Sequence, residues 1–99
     1  MADTQDLAVG LAECKAYLRL DGDGEDALIA GFIRTAMALC EAFTGAPLAA
    51  DWNAVPEPLR QGIVRLVAHL FSHRDAADAG PPPAAVAALW RPYRRLRLS

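Results

Sequence analysis

The sequence lacks the short motifs that identify a catalytic or cofactor site. It has no glycine-rich phosphate loop, no dinucleotide fingerprint, no nucleophile paired with a base and no pair of carboxylates in a recognisable cleft motif. The common signatures of enzyme active sites are therefore missing from this sequence. We therefore expect a protein that is not an enzyme and that binds no cofactor and no metal.

Cysteine is scarce, and its two positions do not form a site. Cys14 and Cys40 fall on the apolar faces of two different predicted helices, without a CxxC pair and without a nearby histidine to complete a zinc set. Free cysteine is among the most buried residue types. We expect both to be reduced core residues, because a disulfide would need an oxidising compartment that nothing in the sequence indicates.

Long apolar runs are also absent. No run approaches the ~20 apolar residues that a membrane span requires, and residues 1–10 lack the basic and then apolar layout of a signal peptide. We expect a soluble protein of the cytoplasm that makes no contact with a membrane. The 99 residues are enough for one small domain that folds without a metal or a disulfide.

Acids are missing from the last part of the chain. Residues 1–80 contain all 12 acids and 6 of the 10 Lys and Arg residues, whereas residues 81–99 contain four arginines and no acid. This acidic body argues against a general nucleic-acid clamp, which would spread Lys and Arg over one face to neutralise phosphates.

Helical periodicity dominates the rest of the sequence. The longest amphipathic pattern runs from Glu25 to Gly45, with Asp23 as the expected N-cap and Gly45 as the C-terminal stop. Its apolar arc consists of Leu28, Ile29, Phe32, Ile33, Ala36, Leu39, Cys40 and Phe43. This pattern predicts the central helix of the fold.

The opposite face of this helix carries small residues, and we call Gly31, Thr35, Ala38 and Ala42 the small-residue stripe. Small side chains let another helix approach closely, which indicates that this helix is packed on two sides. The second contact lies either inside the same domain or on a neighbouring subunit, and the sequence leaves both alternatives open.

The remaining helices are predicted over residues 10–20, about 57–73 and 84–91, the first with Gly10 as its cap. The predicted fold class is all-α: a small bundle of three main helices plus a short C-terminal helix and a basic tail. We divide the chain into a flexible arm (1–9), a helical domain (10–91) and the tail (92–99).

Several isolated residues favour structural roles. Trp52 is expected to fill the edge of the core, and Tyr17 lies either at the core rim or on a contact surface. His69 and His73 have the i, i+4 spacing of a zinc helix, but HLFSH lacks the Glu of HExxH and no third ligand is evident. We expect these histidines to be partly exposed polar residues.

The acidic turn between the first two helices matches a calcium loop only in part. Asp21, Asp23 and Glu25 alternate, but Asp26 stands where an EF-hand needs Gly and Phe32 stands where it needs Glu. The sequence Asp-Gly-Asp-Gly favours a tight turn instead.

Four segments, taken in order, are similar to one protein family: LAECKAYLRLDGDGEDALIAGFI, CEAFTG, PLRQGIVRLVAHLFSHRD and PPPAAVAALWRPYR. The chain resembles the small head-tail connector, or adaptor, proteins of tailed double-stranded DNA phages and phage-derived particles. Residues 66–71 differ from the family's usual third helix only in the aromatic residue. Ala46 departs from the family, since members often have Arg there and a longer connection after it.

The resemblance implies a virion structural protein that forms a ring, typically of twelve subunits, beneath the portal and extends the DNA channel toward the tail. The expected partners are further copies of the chain, the portal protein and a downstream stopper or tail protein, with DNA passing through without sequence-specific binding. The protein would begin in the cytoplasm of the host and end at the head-tail junction of the virion. A ring needs two different faces that meet, and the small-residue stripe is the candidate for part of one.

Two further candidate surfaces follow from this resemblance and the charge pattern. The candidate channel-facing acids, which would repel DNA phosphates, are Asp21, Asp23, Glu25 and Glu41. The candidate partner-docking tail consists of Arg91, Tyr93, Arg94, Arg95, Leu96, Arg97 and Leu98. The alternative functions are a small helical regulator that binds DNA through this tail and a packaging accessory protein that helps a terminase.

Overall fold

The computed structural model describes residues 4–73 and 83–94, with side chains from residue 8 onward. All regular structure in these ranges is helical, and no strand occurs in them. The α-helices are α1 (Thr4–Leu18), α2 (Asp26–Thr44), α3 (Glu57–Ser72) and α4 (Ala84–Trp90), with short 3₁₀ turns at Trp52–Ala54 and Arg91–Tyr93. The all-α prediction is therefore confirmed.

Helix α3 packs against α1, α2 and α4, and α2 likewise contacts the other three helices, so these two helices share the centre of the fold. Ile63 and Val67 of α3 share one buried core with Ile29 and Ile33 of α2 and with Trp90 of α4. Each of these five side chains is 0% exposed. The core thus joins helices that are separated along the chain, and α1 contributes to it as well.

The first helix begins at Thr4, so the predicted cap at Gly10 and the loose conformation predicted for the residues just before it are wrong. Gly10 lies inside α1 and is buried. A Cβ on it would stand 3.3 Å from the Trp52 ring, so the absence of a side chain lets the indole pack against the helix backbone. The glycine serves this packing contact and does not mark the start of the helix. Trp52 is 2% exposed, as predicted for a residue that fills the core edge.

The two ends of α2 agree with the sequence to different degrees. Gly45 ends the helix as predicted, with a left-handed φ of 79°, and its N–H donates to the carbonyl four residues earlier at 2.8 Å. The N-cap is Glu25 and no side chain caps the helix, so the capping role predicted for Asp23 is wrong. Asp23 instead supplies a backbone carbonyl that accepts the Asp26 N–H at 3.2 Å. Lys15 Nζ of α1 also lies 2.9 Å from Asp26 Oδ1 and joins the two helices.

By length and composition alone, α2 could cross a membrane: it has 19 residues and a mean hydropathy of 1.4. Its apolar residues do not form one uninterrupted run, because Arg34 and Glu41 divide them. In the structure the helix buries Ile29, Ile33 and Cys40 in the protein core. A core helix of a globular bundle has this composition as well.

Candidate functional site

The small-residue stripe lies on the side of α2 opposite the buried isoleucines. Thr35, Ala38 and Ala42 are exposed, and Gly31 is half-buried with nothing within 4 Å of the position that a Cβ would take. None of the residues described here therefore supplies a second contact inside the domain. Leu28, which the pattern placed in the apolar arc, is 40% exposed, because it lies at the edge of that arc nearest the stripe.

A groove of about 470 Å³ lies between α1 and α3, lined by Glu13, Ala16, Tyr17, Gln61, Val64 and Arg65. Tyr17 is 56% exposed, the largest exposed fraction among the large hydrophobic side chains of the described part. Tyr17 was expected either at the core rim or on a contact surface, and its exposure therefore favours the surface. No residue of α2 lines the groove, so the groove and the small-residue stripe are separate surfaces.

The α3 wall of the groove was not predicted. Val64 is a buried core residue that also borders the groove, and Gln61 and Arg65 have the polar character of any exposed helix face. These α3 residues line the same groove as Tyr17 only because α1 packs on α3. The sequence signal for the groove was Tyr17, whose two expected positions were the core rim and a contact surface.

The anchor of the basic tail is Trp90, whose fully buried indole donates its Nε1–H to the Leu59 carbonyl at 3.3 Å. Its ring centroid lies 5.9 Å from that of Phe43, and a Cβ on Gly62 would overlap the indole. The guanidinium of Arg94 stands 5.3 Å from the Phe43 ring centroid, in cation–π contact. The tail therefore begins beside the C-terminal end of α2.

Only the first part of the candidate docking tail is described by the structure. Arg91, Tyr93 and Arg94 are exposed. The remaining candidates, Arg95, Leu96, Arg97 and Leu98, lie outside the described residues.

The candidate channel acids fall into two groups. Asp21, Asp23 and Glu25 are exposed in the loop between α1 and α2. Glu41 lies near the other end of α2, roughly 24 Å from Glu25 along the axis at ~1.5 Å per residue, and its Oε2 accepts the Leu48 N–H at 2.8 Å. The four acids therefore do not form one cluster.

Comparison with known proteins identifies the family. The chain matches the family model described as phage gp6-like head-tail connector protein over residues 9–79, which is more than half of its length. The chain belongs to this family. No curated protein and no solved structure matches it at a significant level. The connector is thus a structural protein of the phage virion, as the resemblance in the sequence implied.

The matched region contains both uncovered surfaces of the connector. It begins within α1 and extends beyond the end of α3, so it includes the groove and the small-residue stripe. Helix α4 and the start of the tail lie outside it.

The two thiols of the connector are buried and unreactive near neutral pH. Cys14 and Cys40 are free and fully buried, which confirms the prediction. Burial raises the pKa of each thiol to about 12, with a smaller contribution from the neighbouring charge of Glu13 or Glu41. Neither sulfur is therefore a nucleophile near neutral pH, because only the thiolate reacts.

The histidine pair lies at the C-terminal end of α3. The ring centroids of His69 and His73 are 4.3 Å apart, and Nδ1 of His73 lies 2.8 Å from the carbonyl oxygen of His69. In the described ranges, no three His, Cys, Asp or Glu side chains are grouped so that they could hold a metal ion. His69 is half-buried and His73 is exposed, as expected for partly exposed polar residues.

Proposed function

We propose that this connector assembles into a ring beneath the portal and extends the DNA channel toward the tail, with twelve subunits as the expected number. Membership of the connector family supports the position between head and tail. The observation that carries the ring is the exposed small-residue stripe of α2, where Thr35, Ala38 and Ala42 would let a neighbouring subunit approach the helix backbone closely. The proposed role is purely structural, without catalysis, and assembly begins in the host cytoplasm.

A closed ring requires a heterologous interface, in which one surface of a subunit meets a different surface of the next. Among the described residues, the stripe on α2 and the groove between α1 and α3 are two separate uncovered surfaces. An isologous dimer would need only one of them. The presence of both therefore favours an arrangement that continues from subunit to subunit.

The test is the mass of the purified protein by light scattering over a wide concentration range, with and without the portal protein. The wild-type protein should form rings or bind the portal. Ala38→Glu should prevent ring formation, because it introduces a charge into the stripe. Ala88→Glu is the matched control, since it makes the same change at an exposed alanine of α4.

A monomer that ignores the portal would contradict the proposal. If that monomer also bound duplex DNA with an affinity that falls steeply as salt increases, the protein would be the helical DNA-binding regulator instead.

We also propose that the acidic loop between α1 and α2 faces the channel and keeps DNA from binding to its wall. Replacing Asp21, Asp23 and Glu25 by Lys should leave ring assembly intact and slow DNA passage in assembled particles, because lysines attract phosphates. Glu57→Lys, at an exposed acid of α3, is the control for added positive charge. DNA passage at the wild-type rate in the triple variant would contradict the channel position.

The basic tail is proposed to dock on the portal or on a downstream stopper or tail protein. Arg91, Arg95 and Arg97 should be replaced together by Glu, while Arg94 is kept because it contacts Phe43. This variant should remain folded and lose capture by the portal. Unchanged capture and unchanged particle assembly would remove the tail from the proposed docking surface.

A further inference from the structure

We propose that the groove between α1 and α3 receives the small-residue stripe of α2 from a neighbouring copy of the chain. This inference rests on the proposed ring and names the two faces that meet in it. Each copy would offer one groove and one stripe, so every contact leaves a free groove at one end and a free stripe at the other.

The first support comes from the way this fold uses glycines inside helices. Gly10 of α1 lies against the Trp52 ring, and Gly62 of α3 lies against the Trp90 ring. In both cases an aromatic side chain from elsewhere in the chain fills the space that a Cβ would otherwise take. Gly31 is the third glycine inside a helix, and the corresponding space beside it is open.

Tyr17 is the aromatic side chain suited to that space. It lies in the groove with more than half of its surface exposed. Insertion against Gly31 of the neighbouring copy would bury the ring over a helix backbone, as the two tryptophans are buried within the chain. A partly exposed aromatic anchor that enters a pocket on the partner is typical of the central contacts of protein interfaces.

The second support is the complementary charge of the two surfaces. The groove carries Glu13 and Arg65, and the exposed side of α2 carries Arg34 and Glu41 beside the stripe. Neither arginine forms an ion pair with another described residue. A stripe lying in the groove would pair Arg65 with Glu41 of the neighbour, whose Oε2 also accepts the Leu48 N–H, and such pairing fixes the register of an interface.

The experiment is a charge exchange measured by light scattering across concentration. Arg65→Glu and Glu41→Arg should each raise the concentration needed for half-assembly by about tenfold or more, because each places like charges opposite one another. The double variant should assemble at a concentration close to that of the wild type. Arg19→Glu is the control, because it makes the same change of net charge at an exposed arginine outside the groove.

An equimolar mixture of the two single variants gives a sharper test. The reversed groove of one then meets the reversed stripe of the other, while the unchanged groove and stripe also match, so the mixture should form alternating rings. Circular dichroism of each variant will establish that it is folded, and the substituted side chains are exposed.

Tyr17 provides an independent variant. Tyr17→Ala should weaken assembly by about tenfold or more, because it removes an aromatic anchor. Tyr17→Phe should retain assembly, because the ring fills the space over Gly31. Equal losses in the two variants would overturn this contact.

The outcomes separate this inference from the proposed function. A wild-type protein that assembles neither alone nor with the portal would overturn both. A wild-type protein that forms rings, together with single charge variants that assemble as well as it does, would overturn only the pairing of groove and stripe.

Discussion

The replacement of glycines inside the helices by alanine yields the sharpest prediction for this fold. Alanine favours a helix over glycine by about 1 kcal/mol, so the same substitution should stabilise the protein wherever the added methyl group has room. The three positions differ in the space available for this methyl group. Nothing lies within 4 Å of a Cβ on Gly31, one on Gly10 would stand 3.3 Å from Trp52, and one on Gly62 would overlap Trp90.

Gly62→Ala should lower the free energy of unfolding by about 1–3 kcal/mol. The added methyl group must displace the fully buried Trp90 ring, and such overpacking costs about 1–3 kcal/mol. Moving the ring also weakens the hydrogen bond from its Nε1–H to the Leu59 carbonyl, which contributes about 1 kcal/mol. These two costs together exceed the gain in helix propensity of about 1 kcal/mol. The melting temperature of a domain of this size should fall by roughly 4–20 °C.

Gly31→Ala is the matched control, because it makes the same change inside a helix without a neighbour. It should raise the free energy of unfolding by about 0.5–1 kcal/mol. Gly10→Ala should lie between the two, since its contact with Trp52 is tight but does not overlap.

The assay is urea unfolding followed by circular dichroism at a protein concentration low enough to keep the chain monomeric. The three variants should share the slope of the wild type, so that the midpoints report stability. A Gly62→Ala variant as stable as the wild type would refute the packing of α4 on α3 as described. A destabilised Gly31→Ala variant would refute the open space beside Gly31.

Three further predictions concern Cys14, Cys40 and Trp52, which are buried in the core. Alkylation of Cys14 and Cys40 at pH 8 should be slow in the native protein and fast after unfolding, and rapid native labelling would contradict their burial. Because burial raises the folded pKa of both thiols to about 12 from an ordinary 9.0, their stabilising contribution should be full below pH 9. It should be lost as pH rises toward 12, and urea midpoints will measure this against a Cys→Ala variant. Trp52→Phe should cost about 2 kcal/mol, because the smaller ring loses part of the indole's packing on Gly10 and the hydrogen bond that Trp52 donates to Glu13 at 3.2 Å is lost. A cost equal to that of Trp52→Ala would show that the phenyl ring does not fill this site.

Local signals predicted the helices well where the cause of a boundary is itself local. Gly45 ends α2 because a left-handed residue suits a helix C-terminus, and its position in the sequence is enough to recognise it. The predicted bounds of α3 differ from Glu57–Ser72 by one residue, because its apolar pattern is strong and Pro58 fits the first turn of a helix.

The sequence-based prediction failed where a glycine is explained by contact with a residue far away in the chain. Gly10 looked like a cap, although Trp52 explains its presence. Gly62 lay in the middle of a strong helical pattern and had no local explanation, because Trp90 belongs to a helix after the next connection. A glycine inside a helix was the available signal in both cases, and it indicated a close contact without naming the partner.

The candidate surfaces show the same limit. The small-residue stripe is visible in the sequence because one helix carries all of it. The groove requires α1 and α3 to lie side by side, and nothing in the period of either helix states that Tyr17 and Arg65 share a surface. Sequence periodicity therefore predicts which side of a helix is apolar, but the packing of the helices decides which surface stays uncovered.

Gly31 connects the stability of the monomer to its assembly. Glycine at this position costs the isolated chain helix stability, and in the described part of the chain no neighbour occupies the space that it leaves. Gly10 and Gly62 show that this fold accepts the same cost where an aromatic ring packs in return. If Gly31→Ala stabilises the monomer and also weakens ring formation, the open space beside Gly31 serves the neighbouring subunit. If it stabilises the monomer and leaves assembly unchanged, Tyr17 must contact another part of the next subunit, and the stripe has to be explained without it.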